Sequence, residues 1–60
     1  MDREYIDLEV ERIKILFEEN NYSLEDMKNF IDIKMNMAKE NNDKVNLRIC
    51  EKLINEISKQ

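Results

Sequence analysis

Over its full length of 60 residues the chain has no glycine and no proline. Tight β-hairpins rely on glycine at left-handed backbone positions, and phosphate-cradling loops need it for close approach. A sheet of several strands is therefore hard to build from this sequence, and a phosphate loop is excluded. Chain reversal falls to asparagine, which tolerates left-handed geometry better than other non-glycine residues. Asparagines stand in pairs at Asn20-Asn21 and Asn41-Asn42. The stretches they separate read as helix.

The first predicted helix covers about residues 2–20, with Asp2 and Glu4 suited to the positive end of its dipole. At about 100° per residue, Ile6, Val10, Ile13 and Phe17 form one stripe spaced four, three and four, like a coiled-coil seam. Tyr5, Leu8, Ile15 and Leu16 fall roughly 80 to 180° away and carry the apolar surface around the cylinder. Arg3, Glu4, Asp7, Glu11, Lys14 and Glu18 form the polar face. A helix apolar on two sides needs more than one neighbour. Glu9 and Arg12, one turn apart, interrupt the second arc and are expected to pair at its rim with their heads in water.

The second helix, about 24–40, has the clearest start. Ser23 is a good N-cap, Asp26 stands where a capping-box partner belongs, and Tyr22 can pack on Met27 as a hydrophobic staple. Leu24, Met27, Ile31, Met35 and Ala38 share one side, with Phe30, Ile33 and Met37 beside them. Lys34 projects into this wide arc. It marks the divide between two apolar stripes, with its ammonium reaching solvent; Glu9 is the carboxylate that a buried Lys34 would need.

Asn42 or Asp43 can cap the third helix, about 43–59. Leu47, Cys50, Leu53, Ile54 and Ile57 share a face with Ile49 at its edge, and Lys44, Arg48, Glu51, Lys52, Asn55 and Lys59 share the other. Lys52 and Glu56 are spaced to pair along the helix. One narrow stripe suits one-sided packing and predicts that this helix covers the outside of the other two. The turns are short, so antiparallel neighbours follow. The expected fold is an all-α three-helix antiparallel bundle, one domain over 1–60, completed by self-association.

Size makes association attractive, because a chain this short buries only about 60% of its unfolded surface. The sequence has no histidine and a single cysteine, Cys50, so neither a zinc site nor an internal disulfide can supply the missing stability. Cys50 lies within the apolar stripe and reads as a small core hydrophobe. The net charge of -4 is unevenly spread: seven acids and three bases up to Tyr22, three acids and four bases from Asn42 onward. That asymmetry favours the third helix lying against the first.

Chemistry has few places to reside. Acid–base catalysis needs groups with shifted pKa in a concave, water-poor pocket, which three short helices scarcely enclose. Ser23 and Ser58 have no histidine to activate them, and Asp7, Glu11 and Glu18 are spaced as a solvated face rather than as a calcium loop. The sequence therefore predicts no enzyme, no cofactor and no metal. No apolar run reaches the eighteen or so residues that span a bilayer, and Met1-Asp2-Arg3-Glu4 is no signal peptide, which gives a cytoplasmic expectation. Abundant asparagine, isoleucine and lysine with a lone Ala38 is the usage of an AT-rich genome, as in low-G+C bacteria and their phages.

The expectation left is a small non-catalytic interaction module, an adaptor, inhibitor or regulator, that binds a protein partner and self-associates. Its candidate contact residues are Tyr5, Leu8, Ile15, Leu16, Phe30, Ile33, Met35 and Met37, with methionine suited to adaptable surfaces. A nucleic-acid-linked alternative uses helices 2 and 3 as a helix-turn-helix, with Lys44, Arg48, Lys52 and Lys59 at a groove. The acidic balance speaks against it. A variant has the acidic face of helix 1 imitate nucleic acid and block a DNA- or RNA-binding protein; Arg3 and Lys14 dilute that face.

Overall fold

The computed structural model describes residues 3–59. They form three helices, α1 (Arg3–Glu19), α2 (Leu24–Glu40) and α3 (Lys44–Ser58), joined by two short turns. Helix and turns account for all of the described chain, as the lack of glycine and proline requires. The expected start of helix 1 at Asp2 lies outside the described residues.

Both turns are made the same way, and asparagine makes them. At the end of α1, Asn21 adopts a left-handed φ of 52°. Tyr22 N–H then donates to the Phe17 carbonyl at 3.0 Å and Asn21 N–H to the Glu18 carbonyl at 3.2 Å, the paired bonds of a Schellman cap. The Asn20 amide Nδ2 donates to the Leu16 carbonyl at 2.9 Å. The end of α2 repeats this with Asn42 at φ 53°, Asp43 N–H on the Ala38 carbonyl at 2.8 Å, and Asn41 Nδ2 on the Met37 carbonyl at 2.9 Å. Each pair thus divides its work: the first asparagine satisfies a carbonyl of the last turn, and the second supplies the left-handed backbone.

The helix starts are capped as the residue types predict. Ser23 Oγ accepts from Asp26 N–H at 3.0 Å, and the Asp26 carboxylate accepts from Ser23 N–H, so the capping box is complete. Asp43, rather than Asn42, caps α3, accepting from Asn46 N–H at 3.0 Å. These donors hold the Asp43 carboxyl below its ordinary value, the Asn46 backbone N–H first and its side-chain amide second.

One hydrophobic core joins the helices: Val10, Ile13 and Phe17 from α1, Ile31 from α2, and Ile49, Cys50, Leu53 and Ile57 from α3. An aromatic cluster closes the end nearest the first turn. Tyr22 stacks on Phe17 with centroids 5.1 Å apart, and Phe30 meets Phe17 edge-on at 5.3 Å. Tyr22 and Met27, the expected staple pair, both pack against the core and line one cleft. Tyr22 links the Schellman cap directly to the core.

The position of α3 differs from the expectation. It does not cover the outside of an α1–α2 pair; it packs against both, while α1 and α2 make only sparse direct contact. Ile49, Cys50 and Leu53 are at most 1% exposed, the deepest group among the described residues. A narrow stripe serves two neighbours when each meets it from one edge. The polar flank of α3 completes the arrangement through ion pairs to α1: Lys52 Nζ to Asp7 at 2.8 Å and Lys14 Nζ to Glu56 at 3.0 Å. Lys52 and Glu56 therefore reach across to α1 instead of pairing along α3. The charge asymmetry between the chain ends has its physical expression here.

Two residues placed on buried sides by periodicity are exposed. Leu24 opens α2 at its first turn and is exposed. Ile54 lies about a right angle from the centre of the α3 stripe, at about 100° per residue, and is exposed at that edge.

Candidate interaction surface

The second apolar arc of α1 is unpartnered. Tyr5, Leu8, Ile15 and Leu16 are all exposed, Leu8 most of all at 69%. On α2, Ile33 is 63% and Met37 57% exposed, while Phe30 and Met35 are half-buried against the core. Of the expected contact residues, these last two are structural first. Leu24 and Ile54, which sequence periodicity assigned to the interior, add apolar surface elsewhere. Only the missing neighbour, which is a property of the assembled bundle, could have revealed them.

Tyr5 and Leu16 lie on the same flank of α1 as Glu9, and Phe30, Ile33 and Met37 lie beside Lys34 on α2. Arg12 holds the Glu9 carboxylate through two bonds, Nη2 to Oε1 at 2.8 Å and Nε to Oε2 at 3.2 Å. That fork lowers the Glu9 pKa and raises that of Arg12. Arg12 stands out from the surface at 61% side-chain exposure, while Glu9 is rooted at 23%. Lys34 is half-buried and, among the described residues, has no carboxylate in direct contact. It sits as the divide between stripes that its sequence position predicts.

A cleft of about 390 Å³ is lined by Phe30, Ile33, Lys34, Met37, Asp43 and Asn46. A second, of about 430 Å³, lies between Lys14, Ile15, Tyr22, Met27 and Glu56. At the second cleft Lys14 and Glu56 hold each other charged. The Lys14 hydrogen bond lowers Glu56, and Glu56 and then Glu11 raise Lys14. Such pairs lock both partners in their charged forms, whereas acid–base catalysis needs a group poised near the working pH. Among the described residues no cluster of acids or cysteine is arranged to hold a metal ion, and no buried polar side chain lacks a partner. Cys50 is buried, its Sγ 3.9 Å from the Ile31 carbonyl, and burial raises its thiol pKa. Among the described residues no helix is long and apolar enough to cross a membrane.

No family model matches the chain. Neither does any curated protein or solved structure. The surface itself is therefore what speaks to function. Its bases on α3 are largely neutralised: Arg48 lies 3.2 Å from Glu51, Lys52 pairs with Asp7, and Lys59 lies 3.8 Å from Glu56.

Proposed function

We propose that the protein is a small non-catalytic interaction module that binds a protein partner through the outer apolar face of α1 and the exposed flank of α2, and that it self-associates. The carrying observation is the exposure of Tyr5, Leu8, Ile15 and Leu16 on α1 and of Ile33 and Met37 on α2. Contiguous apolar surface beyond a few hundred Å² marks contact sites on soluble proteins. Ion pairs that hold Lys14 and Glu56 charged leave little for acid–base chemistry, which supports a role without catalysis. The carboxylates beside the α3 bases weaken a nucleic-acid reading, which needs free cations along a groove.

The test is a comparison of retained proteins from a lysate of the native cells, using immobilised wild type and a Leu8→Glu/Ile33→Glu/Met37→Glu variant. All three positions are exposed, so the variant should keep its helicity and its thermal midpoint. Proteins held by the wild type, its own copies included, should be lost. Equal retention by both chains would refute the proposed face.

A further inference from the structure

The outer face of α1 is complementary to itself when reversed, and we infer that it pairs antiparallel with the same face of a second copy. This rests on the interaction reading above and names its partner. At 100° per residue Arg12 sits in the middle of the face. Leu8 and Ile15 lie on one side of it, Tyr5 and Leu16 on the other, and Glu9 at the outer margin of the second side. The buried Val10, Ile13 and Phe17 occupy the opposite side of the cylinder.

A two-fold axis across α1, between Glu9 and Arg12, reverses the order of residues and keeps each flank on its own side. Tyr5 then meets Leu16 of the second copy, and Leu8 meets Ile15. Glu9 meets Arg12. Each exposed apolar residue lands on another, and Glu9 and Arg12 each land on their opposite. Arg12 already reaches outward while Glu9 is rooted, so two copies form a four-membered ring of alternating charge at the seam. A parallel pairing would instead set Arg12 on Arg12 and align the two helix dipoles. Glu4 and Glu19 approach each other at the ends of the antiparallel seam, where water screens them.

The contact area fixes the strength expected. Seventeen residues make a strip roughly 25 Å long and 10 Å wide. A standard interface covers about 800 Å² per partner, near a sixth of the 4630 Å² surface of this chain. The strip falls short of that, so the pair is reversible and its population depends on concentration.

The experiment is light scattering on a sizing column over a hundredfold concentration range, with folding checked by circular dichroism. Four samples are compared: wild type, Glu9→Arg, Arg12→Glu, and an equimolar mixture of the two variants. The wild type should rise from one chain mass to two. Each variant alone places four like charges at the seam and should need at least about tenfold more protein to associate. The mixture should return to the wild-type transition, as should the double variant Glu9→Arg/Arg12→Glu, which also guards against a single variant that folds poorly. A wild-type dimer whose transition ignores these charges overturns the α1 pairing. A wild type that stays monomeric throughout also overturns it, yet the interaction reading survives if the Leu8, Ile33 and Met37 substitutions release a different protein.

Discussion

Replacing Leu53 by alanine tests the central placement of α3 directly. Leu53 is fully buried, and its neighbours come from both flanking helices, so the site cannot collapse by moving one of them. Leucine-to-alanine changes in such positions cost about 3 to 5 kcal/mol, of which the unfilled cavity is a large part. A single core in a chain of this size supplies only about 3 to 5 kcal/mol in total. The variant should therefore be partly or mostly unfolded at 25 °C. The adjacent change, Ile54→Ala, removes a side chain that is 41% exposed and should cost less than about 1 kcal/mol. Urea unfolding followed at 222 nm, at a concentration where the chain is monomeric, reads both. With a slope near 1 kcal/mol/M, the Leu53→Ala midpoint should lie close to zero urea, at least about 2 M below that of Ile54→Ala. An outer, one-sided α3 would let Leu53→Ala relax toward solvent, and a difference below about 0.5 M would refute the buried arrangement.

The turns predict a gain rather than a loss: Asn21→Gly and Asn42→Gly should each raise stability by up to about 1 kcal/mol and Asn21→Ala should lower it by about 1, because only glycine meets a φ near +50° without strain. Equal thermal midpoints for all three would refute the Schellman account. Acid should destabilise the fold through Asp7, Glu9, Asp43 and Glu56, whose hydrogen-bonded cationic or N–H partners hold them below their ordinary values of 3.8 and 4.5. Their contribution is complete above those values and vanishes as pH falls through the lower folded ones, while that of Lys14, raised above 10.5, persists until strong base. The thermal midpoint should be flat from about pH 5 to 8, fall below about pH 4, with a shallower fall in Asp7→Asn, and decline above about pH 9 as the Cys50 thiol ionises in the unfolded chain but not in the core; a midpoint rising on acidification would contradict these pairs. The Cys50 thiol should react with a disulfide reagent only as fast as the chain unfolds, and reaction at the rate of a free thiol in native buffer would place it outside the core.

Much of this architecture was legible in the sequence because it depends on local chemistry. The asparagine pairs announce the turns, and Ser23 and Asp43 announce the helix starts, since caps and left-handed positions are decided within a few residues. The α1 stripe of Val10, Ile13 and Phe17 is buried where its spacing puts it, and Tyr5, Leu8, Ile15 and Leu16 are outside. What periodicity does not encode is how many neighbours a stripe has. The α3 stripe is narrow whether one helix or two cover it, so its width misled about its place. Leu24 and Ile54 failed for a related reason, since spacing assigns a side to a residue but not a partner to that side. Phe30 and Met35 share the wide α2 arc with Ile33 and Met37, and the core takes both of them in part.

The order of the helices along the chain has a consequence for synthesis. A chain is made from its N-terminus, and early segments ordinarily fold as soon as they can bury surface. Here α1 and α2 emerge first and have little to say to each other until α3 arrives between them. The local α2–α3 pairing can close quickly, but docking of α1 joins residues as distant as Asp7 and Lys52 and must wait for the last helix. Until residues 44–58 are made, the apolar stripes of α1 and α2 therefore stay open to chaperones and proteases, and commitment to the folded state comes only with α3.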